Sequence, residues 1–301
     1  MAYCFNLKCP APDVAGKGNF CIHCGASLRL DDRYEALRSL KSYANGGTFV
    51  CHDRQQRQCV IKKISLQRPG QPNKSWEQEI KAIKTISTHP QIPDLWEHFF
   101  DLDHHYLYLV QEFIEGKSID QELYDGPQVE ALLLEILPLL HFIHSHGVTH
   151  RDLNPQNLLR SSRSDHRLFL VDLSTAKVSA KTSLGRAGTT IGSAAYTAPE
   201  QLYGQSCPAS DLYSLGLITI HLLTQMNPLD LLSGADGISA WQDYLPEPIS
   251  PLLVQVINGM VAESLTDRYS QALTIIKLLN PNFQEGDSFN FEQGDAPLGG
   301  D

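Results

Sequence analysis

The 301-residue sequence contains no run of about 18 consecutive apolar residues, the length a membrane-spanning helix needs. Its most apolar helical stretch, Leu215 to Leu223, is too short to span, and the first residues lack the long apolar core of a signal peptide. A cytoplasmic protein with no membrane partner is therefore expected. Basic residues are also scarce: 24 Lys and Arg stand against 34 Asp and Glu, for a net charge of -10. A surface that grips a nucleic-acid backbone needs the opposite balance, so nucleic acid is not an expected partner.

The remaining composition is that of a globular chain able to bury a large core, with 42% hydrophobic and 19% charged residues. At about 150 residues per domain, its length suggests about two domains. After Leu279 the character changes. The stretch from Asn280 to Asp301 is acidic, Gly-rich and nearly free of aliphatic residues, and it cannot bury enough surface to offset the entropy of ordering. Phe289 and Phe291 are the only features there that suggest a docking motif.

Four of the seven cysteines are gathered at the start, as Cys4 and Cys9, then Cys21 and Cys24 followed by Gly25. Each pair turns tightly enough to aim two sulfurs at one ion, and Gly25 permits the backbone conformation of such a turn. This is the spacing of a zinc ribbon. Segment 1–30 is too short for a hydrophobic core, so Zn²⁺ would supply its folding free energy, on the order of 10 kcal/mol. Two disulfides, or a redox switch that ejects zinc, are the competing readings. His23 is spare, because four cysteines already complete a tetrahedron. Cys51, Cys59 and Cys207 carry no assigned role.

The most informative run is His150-Arg151-Asp152-Leu153-Asn154-Pro155-Gln156-Asn157. An aspartate in such a loop can take the proton of an attacking hydroxyl, and an asparagine five residues on can ligate a metal ion that bridges phosphates. Other elements follow in a consistent order. The strand Cys59-Val60-Ile61-Lys62 ends in a lysine, and Glu79 lies in a helical pattern after it. Leu168 to Asp172 is a buried-looking strand ending in an acid. Ala198-Pro199-Glu200, the run from Ser210 to Gly216, and Asp267-Arg268-Tyr269 come later.

From about Tyr34 to about Leu279 the chain resembles the eukaryotic-like (Hanks-type) serine/threonine protein kinases. His89-Pro90-Gln91-Ile92-Pro93, Leu109 to Gly116 and Pro199-Glu200-Gln201 are similar to bacterial members, particularly those with an N-terminal four-cysteine motif. The resemblance implies an α+β bilobal fold behind the cysteine module 1–30. The kinase domain would cover 34–279, with a β-rich lobe over about 34–111 and a helical lobe over about 115–279, followed by the tail 280–301. It implies transfer of the ATP γ-phosphate to Ser or Thr hydroxyls of protein substrates in bacterial signalling.

In that scheme Asp152 is the base, Lys62 held by Glu79 anchors phosphates, and Asn157 with Asp172 binds Mg²⁺ or Mn²⁺. Gly46 and Gly47 lie over the phosphates, and Glu112 and Ile114, after Gln111, offer backbone groups to adenine. Glu200 and Arg268 pair to lock the helical lobe. Thr189 and Thr190 match autophosphorylated positions, with Arg151 placed to pair with the phosphate. The cysteine module would recognise a partner or regulate the small lobe.

Three departures keep a second reading open. The glycine-rich hairpin is degenerate, with Lys41 and Tyr43 at two of its three glycine positions. Asn154 replaces a lysine that steadies transferred charge, so a nearby cation such as Lys177 would have to compensate. Asp172-Leu173-Ser174 stands for Asp-Phe-Gly. A pseudokinase that binds nucleotide or scaffolds partners is the alternative to an active enzyme.

Overall fold

The computed structural model describes residues 2–14, 18–43, 46–66, 74–101, 105–173, 177–178, 193–234 and 237–284. Ser174, Thr189, Thr190, Phe289 and Phe291 lie outside the described residues, as do the side chains of Tyr43 and Lys177. The chain divides into two compact units, Met1–Ile119 with Pro155–Ala194, and Asp120–Asn154 with Ala195–Asp301.

The first unit is built on strands β1 (Ala2–Tyr3), β2 (Asp13–Val14), β3 (Arg29–Leu30), β4 (Tyr34–Tyr43), β5 (Gly46–His52) and β6 (Gln58–Ser65). Helix α1 (Lys74–Ile86) and strands β7 (Leu95–Phe100), β8 (Tyr106–Glu112) and β9 (Gly116–Ser118) follow. Among the described residues, eight strands form one sheet in the order β2-β1-β4-β5-β6-β8-β7, with β3 beside β4. Because successive side chains point to opposite faces, Phe49, Cys51, Cys59, Ile61, Tyr108 and Val110 gather on one side. On the other side, α1 lays Ile80 and Ile83 over Leu107, Leu109 and Leu66. Cys51 and Cys59 stand directly opposite each other in this sheet, and burial pushes the Cys51 thiol well up, so it fills space as a neutral group.

The segment 1–30, expected as a small module ahead of the lobes, is joined to this sheet. Strand β1 pairs antiparallel with β4, placing Tyr3 opposite Ala36. The ring of Phe5 meets that of Phe49 edge-on at 5.1 Å, and Lys63 Nζ donates to the Phe5 carbonyl at 3.2 Å. The physical reason is the size of the segment's own apolar cluster, Ala2, Cys4, Val14, Cys21 and Leu28, which leaves Phe5 to be buried elsewhere.

The second unit is helical. It holds α2 (Gly126–Ser145), the short strand β10 (Val148–Thr149), α3 (Pro199–Leu202), α4 (Pro208–Thr224), α5 (Pro228–Ser233), α6 (Pro251–Val261) and α7 (Ala272–Leu279). Asp125 opens α2 with a reciprocal cap: its carboxylate accepts from the Gln128 N–H, and the Gln128 side chain accepts from the Asp125 N–H. Pro127 in the first turn is preset for the helix. The apolar run Leu215 to Leu223 lies inside α4. The 20-residue α2, however, is long and apolar enough by length and composition to cross a membrane, which corrects the expectation built on Leu215 to Leu223 alone. Pro138 and the charges that flank its apolar residues break up that signal in the sequence, and its inner residues, among them Leu133, Ile136 and Leu140, are buried in the unit. Gly216 lets α4 approach α6 closely, since a Cβ there would lie 2.7 Å from Val261 Cγ1.

Candidate active site

In the first unit a hairpin of β11 (Leu158–Ser161) and β12 (Leu168–Leu170) sets the positions of Asn157 and Asp172. Leu158 pairs with Leu170, and the Val171 N–H bonds the Asn157 carbonyl at 2.9 Å, so the two residues flank the same end of the hairpin. Asn157 is wholly buried, and Asp172 takes a left-handed backbone with φ of 69°. Lys62 donates to Asp172 Oδ1 in a short contact, and its side chain is only 2% exposed. Lys62 stands opposite Leu109, so it points to the face of the sheet covered by α1, where Glu79 is half-buried.

Lys41, a misfit among the glycine positions of the hairpin, donates from Nζ to Asn157 Oδ1 at 2.8 Å and to Asp172 Oδ2 at 2.9 Å. A bulge explains why alternation does not find it. The register of β4 against β5 shifts between Ser39 and Lys41, so that Lys41, and not Leu40, falls opposite Thr48. Thr48 in turn lies opposite Lys62, which aligns Lys41, Thr48 and Lys62 across three strands on one face.

A cleft of about 360 Å³ opens here, within the range of small-molecule sites. Val60 and Leu159 supply apolar walls, and Gln111, Glu112 and Ile114 lie along it. The Glu112 carboxylate pairs with Arg163, and its N–H donates to the Asp94 carbonyl at 2.9 Å. Thr48 Oγ1 is buried with no hydrogen-bond partner among the described residues, a donor to spare on the cleft wall. A carboxylate and an amide oxygen are the hard ligands that Mg²⁺ takes, and donation from Lys41 turns the Asn157 amide with its oxygen toward them. Gly46 and Gly47 sit elsewhere than expected. Both are buried in β5, neither is among the residues lining the cleft, and a Cβ on Gly47 would stand 2.9 Å from the Phe49 ring and 3.2 Å from Leu7. Gly47 therefore answers to packing against the cysteine segment.

In the second unit the run His150 to Asn154 is held by Asp211, which is wholly buried. Asp211 Oδ2 accepts from the His150 N–H at 2.8 Å and contacts His144 Nε2 at 2.9 Å, while Oδ1 accepts from the Arg151 N–H at 2.9 Å. Burial works to raise the Asp211 carboxyl, but the hydrogen bond and charge of His144, with His150 and the Arg151 N–H, hold it below its ordinary value. The Arg151 carbonyl accepts from Gln201 Nε2 at 2.8 Å, and Asn154 Nδ2 donates to the Asp152 carbonyl at 2.9 Å and to its Oδ1 at 3.3 Å. Asn154 thus fixes the aspartate beside it. Glu200 and Arg268 pair at 2.7 Å as expected, with Ser210 Oγ donating to the same Glu200 oxygen at 2.6 Å. Sequence reasoning misses the part played by Asp211 and His144, because only the fold brings Asp211 to residues 60 positions and more away.

The Sγ atoms of Cys4, Cys9, Cys21 and Cys24 all lie within 4.8 Å of one another, with Cys4 to Cys24 at 3.5 Å and Cys9 to Cys21 at 3.7 Å. Tetrahedral Zn–S bonds of about 2.3 Å place sulfurs about 3.8 Å apart, so the set fits zinc. The N–H of Ala26 and the Asn6 side chain hold the Cys24 thiol down to about 6, whereas burial pushes the Cys4 thiol up to about 12 and raises that of Cys9. Gly25 has φ of 71°, as a knuckle turn requires, and His23 is exposed.

The family model described as protein kinase domain matches residues 34–281. Serine/threonine-protein kinase B of Synechocystis sp. is 33% identical over 310 residues, covering 95% of this chain and 53% of that protein. Serine/threonine-protein kinase D of the same organism is 33% identical over 280 residues, covering 86% and 54% respectively. Serine/threonine-protein kinase PknA of Nostoc sp. is 30% identical over 273 residues, with 83% and 47% covered. The chain spans about half the length of these curated relatives.

Proposed function

The chain belongs to the protein kinase family, and from that premise we propose that it transfers the γ-phosphate of ATP to serine or threonine hydroxyls of proteins. The observation that carries this reading is the convergence of Lys62, Asn157 and Asp172 at the end of a cleft with apolar walls. The names of the bacterial relatives support the choice of Ser and Thr as acceptors.

Adenine fits between Val60 and Leu159, with the backbone of Glu112 and Ile114 reading its edge. Lys62 anchors phosphate oxygens, and Glu79 holds Lys62. Asn157 and Asp172 would hold Mg²⁺ or Mn²⁺, which supplies charge neutralisation on the phosphates. Asp152 orients the acceptor hydroxyl and takes its proton, and Asn154 keeps that carboxylate in place. Thr189 and Thr190 are the acceptors we propose within the chain itself, and Arg151 the residue that reads their phosphates. The four sulfurs hold structural zinc, which steadies a strand of the small lobe.

The alternative, a pseudokinase, draws on one observation: Lys41 already engages both proposed metal ligands. Incubation with γ-labelled ATP and Mg²⁺ or Mn²⁺, beside an Asp152→Ala control and casein as acceptor, separates the two. Label on the wild type alone supports the enzyme. No label from folded, zinc-loaded protein supports the regulator.

A further inference from the structure

Lys41 Nζ lies 2.8 Å from Asn157 Oδ1 and 2.9 Å from Asp172 Oδ2. These are oxygens that the proposed reaction gives to a divalent ion, and the role of Lys41 argued from them rests on that reaction. An ammonium in contact with both leaves no room for an ion bonded to both at about 2.1 Å. Two cations therefore compete for one pair of oxygens. We propose that Lys41 is a tethered competitor for the divalent-ion site, which yields Asn157 and Asp172 when nucleotide phosphates engage its ammonium.

The two lysines on Asp172 are unequal. Lys62 is 2% exposed on a central strand, and it keeps Oδ1. Lys41 is 32% exposed and is carried by a bulged strand of a hairpin, on a long stem near the solvent. Lys41 and Thr48 are directly opposite, and both line the cleft. A phosphate there would gain a charge-assisted bond from Lys41 and a bond from the unpartnered Thr48 hydroxyl. Metal and nucleotide binding are then coupled through one side chain, and linkage makes the coupling reciprocal. This also gives Lys41 a purpose at a position where the family places glycine: it makes metal loading wait for nucleotide.

The test is Mn²⁺ binding to the full, zinc-loaded chain, followed by electron paramagnetic resonance of the free ion, alone and with a non-hydrolysable ATP analogue. Removing Lys41's charge as Lys41→Met, with Lys41→Gln as a second variant and thermal unfolding to check the fold, should tighten binding of Mn²⁺ alone by about tenfold or more. The tightening that nucleotide produces in the wild type should shrink by a similar factor. Lys41→Arg should keep the weak binding, and Asp172→Asn should weaken binding in every case. Equal Mn²⁺ affinity in wild type, Lys41→Met and Lys41→Gln would overturn the inference while leaving the metal assignment intact. Mn²⁺ binding that Asp172→Asn does not weaken would overturn both.

Discussion

Lys41 and Lys62 hold opposite oxygens of one carboxylate, that of Asp172, although strand β5 lies between the strands that carry them. The lateral row through Thr48 makes this possible, and it concentrates positive charge where phosphates are proposed to bind. Their burial differs: the Lys62 side chain is enclosed, whereas that of Lys41 is about one-third exposed.

Lys62→Met should keep the fold, because methionine nearly fills the space of the lysine stem in a buried site. It should lower phosphate transfer on the order of 10² to 10³-fold, the usual effect of deleting one preorganised donor to developing charge. Rates of label incorporation at saturating acceptor check this. A variant with near wild-type rates would remove Lys62 from the phosphate site.

Asp211→Asn tests the buried support of the loop from His150 to Asn154. An amide offers one acceptor oxygen where the carboxylate serves the N–H groups of His150 and Arg151 and the ring of His144. The turnover rate should fall on the order of 10²-fold as Asp152 shifts. Nucleotide affinity should stay within about twofold, since the cleft residues belong to the other unit. Fluorescent-nucleotide titration beside steady-state kinetics separates the two. The carboxyl is held low in the fold, so its stabilisation is present above its ordinary value of about 3.8 and is lost as pH falls through the folded value.

His89 gives a pH dependence nearer neutrality. Burial, and secondarily the charge of Arg167, push its ring down to about 4, and its Nδ1 accepts from the Gln91 N–H at 3.2 Å. Unfolding frees the ring to return toward about 6.5, so the unfolded chain binds more protons between these values. Stability should therefore be full above about pH 6.5 and fall as pH drops toward 4. The slope is at most about 1.4 kcal/mol per pH unit, for a loss of about 3 kcal/mol across the window. Denaturant unfolding of wild type and His89→Gln between about pH 4.5 and pH 7.5 should show a flatter profile for the variant. Equal slopes would assign the dependence to other groups.

Much of this architecture is legible in the sequence, for local reasons. The strand that carries Lys62, the knuckle spacing of the cysteines and the run from His150 to Asn157 each carry a pattern complete within a few residues. Glu200 and Arg268 pair on paper only through the family resemblance. The features that escape are non-local. The bulge that turns Lys41 inward breaks the alternation on which a strand is read, and Asp211 meets Arg151 across 60 residues. The cysteine segment is recognisable, but its attachment to the sheet depends on Phe5 finding Phe49, which no spacing announces.

That attachment leads to a prediction about metal removal. One zinc per chain should be measured by elemental analysis, and Cys21→Ser should lose it. The proposed zinc would hold the segment whose strand β1 lies against β4 and whose Phe5 enters the sheet core beside Phe49. Thr48, next to Phe49 on β5, lines the cleft proposed to bind nucleotide, so disorder in the segment should reach the cleft wall. A tightly held ion at a hundredfold excess over its dissociation constant contributes about 2.7 kcal/mol to the folded state. Chelation should accordingly lower the unfolding midpoint by about 5 °C or more, and nucleotide affinity should weaken with it. Restoring zinc should recover both. Loss of zinc with an unchanged midpoint and unchanged nucleotide affinity would show that β1 and Phe5 stay seated on the sheet without the metal, and that the four sulfurs serve something other than the fold of the small lobe.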